Sequence, residues 1–269
     1  MLNEIKKIKN LDKNNFFLIA GPCIIESKEE VFKIAKEIKR ITDKLEIPFI
    51  FKGSYKKANR TRLDSFTGIG DDIALKILKD VGEELKIATT TDIHSVNEVE
   101  KAAKCVDIIQ IPAFLCRQSE LIQAAAKTGK HVNIKKGQFL SAQSMQFAAE
   151  KIKDCGNTNI ILTERGTMFG YNDLVVDYRS IPIMKSYGYP VVLDVTHSLQ
   201  EPNNLSGLTG GKPKLIETIA KAGVAIGIDG IFLETHFSPN DSKSDSKNML
   251  DLKSLEDLLI KLLRIRKSI

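Results

Sequence analysis

Residues 47–60 read IPFIFKGSYKKANR. The run is apolar through Phe51 and turns polar at Lys52, which is typical of a buried parallel strand that ends at this point. Four polar side chains follow at once: Ser54, Lys57, Asn59 and Arg60. Cations and neutral hydrogen-bonding groups at one strand end suit a substrate with several phosphate or carboxylate oxygens. A basic surface loop is the alternative interpretation, and the rest of the chain decides between the two.

The composition is that of an ordinary globular protein. The 269 residues are 42% hydrophobic, and 40 basic against 34 acidic residues give a net charge of +6. Single α/β barrels are common at this length. The small positive excess fits small anionic substrates. We expect no nucleic-acid partner, because the sequence has no dense basic run interleaved with aromatic residues.

Cysteine usage and the absence of long apolar runs indicate the compartment. The four cysteines, at positions 23, 105, 116 and 155, form no CxxC pair, which argues against a disulfide-stapled secreted protein. The first fifteen residues have no apolar segment typical of a signal peptide. No apolar run approaches the roughly 20 residues that a membrane span needs. We therefore expect a cytoplasmic protein with no membrane partner.

Short strand-like runs alternate with amphipathic helical patterns along the whole chain. We predict strands at 16–20, 49–52, 86–90, 107–111, 131–135, 159–162, 190–194 and 230–234. We predict helices at 27–44, 71–85, 95–103, 118–128, 141–154, 214–222 and 254–266, with a weaker one at 179–187 that Pro182 interrupts. Eight such units predict an α/β protein, a (β/α)8 TIM barrel in a single domain over 1–269 with a short N-terminal extension. A doubly wound open sheet is the alternative, but no GxGxxG follows the first strand.

The loops after the C-terminal strand ends of a barrel carry its active site. Every predicted strand end here delivers a polar group of catalytic type. In chain order these groups are Cys23, Lys52, Asp92, Gln110 with Arg117, Lys135 with Gln138, Arg165, Asp194 with His197, and Glu234 with His236. Crowded cations repel one another unless a polyanion fills the site. The pattern therefore predicts an active site for a substrate with at least one phosphate and a carboxylate.

A second subset has the residue types of a metal site. Its members are Cys23, His197, Glu234 and Asp245, from the ends of strands one, seven and eight. Strand eight neighbours strands one and seven in a closed barrel, so these side chains can converge. A Cys/His/carboxylate set with an open position suits one divalent ion, Zn²⁺, Fe²⁺ or Mn²⁺. The alternatives are a core-packing Cys23, a general base at His197 and a surface residue at His236.

Six motifs closely resemble the 3-deoxy-D-manno-octulosonate 8-phosphate synthase family. They are KGSYKKANRT (52–61), QIPAFLCRQ (110–118), NIKKGQF (133–139), LTERGTMFGYNDLVVDYRS (162–180), DVTHSLQ (194–200) and DGIFLETH (229–236). The likeness runs in order from about residue 16 to 252. It implies a homotetrameric (β/α)8 barrel that condenses phosphoenolpyruvate with D-arabinose 5-phosphate and releases phosphate. The product is the sugar acid phosphate of lipopolysaccharide biosynthesis.

The resemblance also implies residue roles. The phosphoenolpyruvate ligands would be Lys52, Ser54, Lys57, Gln110, Lys135 and Arg165, with Gln138 as a further substrate-binding residue. The sugar ligands would be Asn59, Arg60 and Thr61, with Arg117 reaching the sugar phosphate of a neighbouring subunit. The catalytic residues would be Lys52, Asp92, Lys135 and His197. Cys23 would place the chain in the metal-dependent branch, whose single divalent ion would be held by Cys23, His197, Glu234 and Asp245.

Departures from the family pattern leave the chemistry intact. Thr61 is followed by Arg62, residues 65–70 read SFTGIG where the family has SFRGPG, and Lys212 stands where arginine is common. One alternative is the related synthase that uses erythrose 4-phosphate, whose pattern has Lys-Pro-Arg-Thr where residues 57–60 read KANR. A Schiff-base aldolase is disfavoured because strand six ends in Glu164 and Arg165. A non-catalytic sugar-phosphate-binding barrel is the remaining alternative.

Overall fold

A ring of parallel strands forms the centre of the computed structural model, which describes residues 2–13, 15–201 and 210–269. The strands are β1 Phe17–Gly21, β2 Phe49–Lys52, β3 Ala88–Asp92, β4 Ile108–Ile111, β5 His131–Lys135, β6 Ile160–Glu164, β7 Val191–Asp194 and β8 Gly230–His236. Each strand pairs with the next, and β1 also pairs with β8 from Phe17↔Gly230 to Gly21↔Glu234. This last pairing closes the sheet. The predicted (β/α)8 barrel is confirmed, and the open-sheet alternative is wrong.

Helices follow the strands and cover the outside of the barrel. They are α1 Lys28–Lys44, α2 Asp71–Glu84, α3 Val99–Ala103, α4 Ser119–Lys127, α5 Met145–Lys153, α6 Ser180–Lys185, α7 Ile216–Ala225 and α8 Leu255–Arg266. The first helix, α1, shows why these segments of the sequence form helices. Ser27 caps it by accepting a hydrogen bond from the Glu30 amide at 3.2 Å, which satisfies one of the free amides of the first turn. Its buried positions include Val31, Ile34 and Ile38, one face at helical spacing.

Predicted and observed boundaries differ by a few residues, and two differences have clear causes. The predicted helix 95–103 is a 3₁₀ turn at Val96–Glu98 followed by the short α3. Pro182 lies in the first turn of α6, where its missing N–H has no intrahelical partner to lose. Proline therefore does not interrupt this helix.

Two antiparallel ribbons extend the loops above the barrel and were not predicted. One joins Thr167–Phe169 to Asp173–Val175, and the other joins Gln200–Glu201 to Gly210–Gly211. Both follow strands whose ends carry predicted site residues. They are too short to show a strand-like alternation of apolar residues in the sequence.

Apolar side chains fill the N-terminal half of the barrel interior. The inward-facing residues include Ile19, Ile50 and Phe232, and the N-terminal extension packs Leu2, Ile5 and Ile8 against the same cluster. The extension forms two 3₁₀ turns, Leu2–Glu4 and Leu11–Lys13. It therefore seals the end of the barrel opposite the strand ends that carry the polar groups.

The outward faces of the strands pack against the helices in a second, larger cluster. Leu18, Phe51, Ile134 and Leu162 belong to it and are completely or almost completely buried. Both strand faces are therefore apolar, as the near-continuous apolar runs predicted. Within the described residues, no helix combines the length and apolar character that crossing a membrane requires.

Candidate active site

Charged and polar side chains replace apolar ones at the C-terminal ends of the strands. Lys52, Asp92 and Lys135 are the last residues of β2, β3 and β5, and all are at most 6% exposed. They line a pocket of about 520 Å³ at this end of the barrel. Of the predicted substrate-binding residues, all except Arg117 line this pocket: Lys52, Ser54, Lys57, Asn59, Arg60, Thr61, Gln110, Lys135, Gln138 and Arg165. Their roles stay predictions, but the structure brings them together.

The two inner lysines are held by carboxylates from neighbouring strands. Lys52 Nζ lies 2.6 Å from Glu234 Oε1 and donates to the Cys23 carbonyl at 3.0 Å. Lys135 Nζ lies 2.5 Å from Asp194 Oδ2 and 3.5 Å from the centre of the Phe232 ring. Burial lowers the pKa of Lys135, and the charge of Asp194 opposes that shift. Each inner lysine is therefore paired with one buried carboxylate.

Several buried polar atoms of the pocket make no hydrogen bond to any described residue. They are Ser54 Oγ, Arg60 Nη2, Asp92 Oδ1 and Arg165 Nη1. Buried polar groups in folded proteins nearly always have a partner. Three of the four atoms can donate a hydrogen bond, so the pocket is built to receive an acceptor-rich ligand such as a phosphate or carboxylate.

One carboxylate oxygen of Asp92 faces the pocket, and the other contacts a histidine. Its Oδ2 lies 3.0 Å from His94 Nε2, while the His94 amide donates to Glu98 Oε2 at 2.8 Å. Burial acts to raise the pKa of Asp92, but the His94 hydrogen bond and the charges of Lys57 and Lys52 hold it well below its usual value. Asp92 is therefore an anionic acceptor in a pocket of cations.

The predicted metal ligands converge beside Lys52. One ligand atom each from Cys23, Glu234 and Asp245 lie within 4.8 Å of one another. His197 Nε2 lies 3.5 Å from Glu234 Oε2 and 3.8 Å from Asp245 Oδ2. On the other side of the ring, His197 Nδ1 lies 2.7 Å from Asp194 Oδ2. A carboxylate on the second ring nitrogen is the usual way of orienting a metal-binding histidine.

The donor set fits a divalent cation. Cys23 Sγ lies 3.3 Å from Asp245 Oδ2. Burial, together with the charges of Asp245 and Glu234, raises the pKa of the Cys23 thiol. The carboxylates of Glu234 and Asp245 disfavour the thiolate form of Cys23. A divalent cation would remove that repulsion, and it could accept a lone pair from the His197 imidazole. Asp245 belongs to this cluster, although its loop is longer and more polar than the family motif to which it would be aligned.

Three residues lie outside the arrangement. Arg117 is exposed and is not among the described residues that line the pocket. Arg62 pairs with Asp64 at 2.7 Å, and both side chains are more than half exposed. The alternative of a surface His236 is wrong, because this residue is 3% exposed. Its Nε2 lies 2.9 Å from Glu30 Oε1 on α1, a tertiary contact that the local sequence does not show.

Two other residues that support the site, Gln200 and Asn248, were not identified from the sequence. Gln200 links two predicted site residues, because it accepts from Arg165 Nη2 at 2.8 Å and donates to Asp245 Oδ2 at 3.2 Å. Asn248 holds the end of the same loop by donating to the Thr196 carbonyl at 2.6 Å. Gln200 is the last residue of the motif DVTHSLQ, and its place in that motif could have identified it from the sequence. Asn248 had no comparable signal.

Comparison with known proteins gives the family. The model of the DAHP synthetase I family matches residues 2–269. The chain belongs to this family. Its similar relatives include proteins of Koribacter versatilis (strain Ellin345), 47% identical over 268 residues, and of Trichlorobacter lovleyi, 52% identical over 245 residues. A protein of Bartonella henselae is 47% identical over 260 residues.

These alignments cover 98%, 91% and 96% of this chain and 96%, 90% and 93% of the respective relatives. All three relatives are named 2-dehydro-3-deoxyphosphooctonate aldolase. This is another name for 3-deoxy-D-manno-octulosonate 8-phosphate synthase, the family that the six motifs resemble. The predicted membership is therefore confirmed.

Proposed function

We propose that the protein condenses phosphoenolpyruvate with D-arabinose 5-phosphate and water to give 3-deoxy-D-manno-octulosonate 8-phosphate and phosphate. The observation that carries the proposal is a group of buried donors that have no hydrogen-bond partner among the described residues, Ser54 Oγ, Arg60 Nη2 and Arg165 Nη1, in one pocket with two buried lysines. The names of the similar relatives support the same reaction.

The depth of the residues divides the pocket between the two reactants. Lys52, Lys135 and Arg165 are at most 5% exposed and suit the smaller, more highly charged phosphoenolpyruvate, with Ser54, Lys57 and Gln110 beside them. Bidentate arginine and point-charge lysine both match its phosphate and carboxylate oxygens. Gln138 lies on the adjoining loop as a further donor.

The sugar phosphate takes the outer part of the pocket. Asn59 and Thr61 are exposed at the rim. Arg60 Nε donates to the Phe66 carbonyl at 2.9 Å, while Arg60 Nη2 has no hydrogen-bond partner in the part of the chain that the structure describes. This pose brings the sugar aldehyde towards Asp92 and the inner lysines. Arg117 completes the phosphate site from a neighbouring subunit in a homotetramer, which accounts for its exposed position in one protomer.

The reaction joins C3 of phosphoenolpyruvate to the aldehyde carbon, as the enol π electrons form the new C–C bond. The aldehyde oxygen becomes an alkoxide and takes up a proton, while the water that adds at C2 gives one up. Phosphate then leaves with the electrons of its C2–O bond as the C2 hydroxyl loses its proton and C2 becomes a ketone. Lys52, Lys135 and Arg165 stabilise the negative charge as it moves among carboxylate, phosphate and the new alkoxide. Asp194 holds His197 in one orientation, and Asp92 Oδ1 accepts a hydrogen bond from a hydroxyl or water at the reacting centre.

One divalent ion, Zn²⁺, Fe²⁺ or Mn²⁺, would be held by Cys23, His197, Glu234 and Asp245. When bound, it would supply Lewis-acid polarisation of the aldehyde or a lowered pKa of a bound water. The mutual repulsion of the acidic ligands supports this assignment. The four free cysteines and the two phosphorylated reactants support a cytoplasmic enzyme.

Phosphate release measured with each aldehyde, before and after a chelator, tests the proposal. We expect turnover with arabinose 5-phosphate far above that with erythrose 4-phosphate, its loss in dipicolinate, and its return on adding a divalent cation. Metal content gives a readout that does not depend on activity: Cys23→Ser should lose the bound ion and Cys105→Ser should keep it. Preference for erythrose 4-phosphate, or binding without phosphate release, would reject the assigned reaction. Full turnover of metal-free protein would reject the metal.

A further inference from the structure

A buried ion pair lies directly behind the active site, on the outer face of the barrel. Lys136 and Glu164 are both completely buried, and Lys136 Nζ lies 3.4 Å from Glu164 Oε1. Lys136 directly follows β5, and Glu164 is the last residue of β6. Ile134 and Leu162, two residues before Lys136 and Glu164 on the same strands, belong to the outer cluster. Because side chains alternate between the two faces of a strand, Lys136 and Glu164 also face outwards, while Lys135 and Arg165 face the pocket.

Lys136 fastens the loop after β5 to the ribbon after β6. Its ammonium donates to the Leu140 carbonyl at 3.2 Å on one side. On the other side it donates to the Gly166 carbonyl at 3.3 Å and to Thr167 Oγ1 at 3.0 Å. Glu164 holds the start of the same ribbon, because its Oε1 accepts a hydrogen bond from the Gly166 amide at 2.7 Å.

The two segments that this pair joins both carry pocket residues. Gln138 lies in the first, and Arg165 directly precedes Gly166 in the second. A backbone hydrogen bond from the Met168 amide to the Gln138 carbonyl, 3.0 Å long, joins them again closer to the pocket. The position of Gln138 relative to Arg165 thus depends on contacts that centre on Lys136.

The pair is not the arrangement that stability alone would select. Burying two charges carries a desolvation cost that an apolar pair of similar volume avoids. One oxygen of Glu164, Oε2, also has no hydrogen-bond partner among the described residues. What an apolar pair would lack is the set of directed hydrogen bonds that holds the two loops in register.

We propose that Lys136 and Glu164 form a positioning pair that sets the spacing between Gln138 and Arg165 for the anionic reactant. The proposal rests on the proposed function, because the reactant is the phosphoenolpyruvate assigned to Arg165. Neither residue of the pair touches the pocket. Both act through the loops that they join, and loss of the pair leaves the ligands present but misplaced.

The test is the double variant Lys136→Met/Glu164→Gln, which removes both charges at nearly constant volume. We expect it to fold, and its KM for phosphoenolpyruvate to rise by about 10-fold to 100-fold, since a displacement of about 1 Å costs on the order of 10²-fold. The matched control is Lys185→Met/Asp229→Asn, which removes an ion pair of 2.9 Å near the opposite end of β8 and should leave KM unchanged.

A double-mutant cycle separates positioning from general destabilisation. Gln138→Ala should raise KM in the wild-type background and much less in the Lys136→Met/Glu164→Gln background, because coupled sites are not additive. A double variant with wild-type KM, or effects that simply add, would overturn the positioning pair. Where the double variant does not fold, Glu164→Gln alone decides in the same way, with an unchanged KM rejecting the proposal. A wild-type protein without turnover would reject the proposed function instead, so the two failures are distinct.

Discussion

The two ends of the barrel interior differ in polarity, and the change from apolar to charged side chains takes only two residues along a strand. On β2, the inward residue Ile50 is followed two positions later by Lys52, and on β8 Phe232 is followed by Glu234. The N-terminal end is an apolar cluster closed by the N-terminal extension. The C-terminal end is a cluster of paired and unpaired charges that surrounds the pocket.

This difference separates the origin of stability from the origin of activity. Apolar burial at the N-terminal end contributes to folding with no ligand present. Charges at the C-terminal end are desolvated and crowded, and they are matched only in part by one another. The cationic side chains would be fully paired with a polyanionic reactant, and the acidic ones with a bound cation. Substitutions at the two ends should therefore have opposite signatures in activity and in stability.

The largest effect is expected for Lys135→Met at the charged end. The substitution removes a buried cation from the proposed phosphoenolpyruvate site while Asp194 keeps its hydrogen bond with His197 at 2.7 Å. We expect kcat/KM to fall by about 10²-fold to 10³-fold, as for the loss of one preorganised electrostatic contact. The melting temperature should change less than in an apolar-core variant, because Asp194 still accepts hydrogen bonds from the Thr196 amide and hydroxyl and from the His197 amide. Phosphate-release kinetics and thermal unfolding measure both quantities.

The surface substitution Lys153→Met is the control for loss of a positive charge. It should keep wild-type kinetics. A Lys135→Met protein that unfolds as easily as a core variant would show that this end also carries the stability of the fold.

An intermediate effect of the opposite kind is expected for Ile161→Ala at the apolar end. Ile161 is completely buried in the inner cluster. Its truncation should lower the free energy of unfolding by about 2–5 kcal/mol through lost burial and a cavity. Denaturant titration measures this change. The folded fraction should retain the wild-type KM, and a shifted KM would mean that the two ends are coupled.

The smallest effect is expected for Glu98→Gln, which tests whether the network behind Asp92 adds to stability. Burial acts to raise the pKa of Glu98, but hydrogen bonds from Tyr55, the His94 amide and Lys56 lower it from 4.5 to about 2. A depressed pKa stabilises the fold above the unfolded value, and this contribution is lost as pH falls towards the folded value. The wild type should melt slightly above the variant at neutral pH. That difference should shrink between about pH 4.5 and pH 2, and a constant difference would contradict it.

The barrel was predictable because its signal is local. The strands were found within about two residues, since apolar runs that end at a polar residue mark β2 and β7 by themselves. Most site residues came from motifs at those strand ends. Asp245 joined the cluster only through a loop whose fold depends on Asn248 and Gln200, which is long-range information.

Other features depend on contacts that a local pattern does not contain. Lys135 and Lys136 are adjacent and identical in type, yet one faces the pocket and the other is buried behind it. Alternation from Ile134 distinguishes their directions, but only the packed loops show that Lys136 has partners. The N-terminal extension, with apolar residues three apart at Leu2, Ile5 and Ile8, has too few turns to indicate what it covers.

The apolar residues that fill the barrel interior, with Leu2, Ile5 and Ile8 packed beyond them, also bear on how small molecules reach the pocket. With the N-terminal end closed within the described residues, both reactants and both products pass through the same opening. The proposed site for one reactant lies at the bottom, beside Lys135, and the site for the other lies at the rim, beside Asn59. A molecule at the rim obstructs the passage below it. These proposed sites imply sequential binding, with the deeper reactant arriving first.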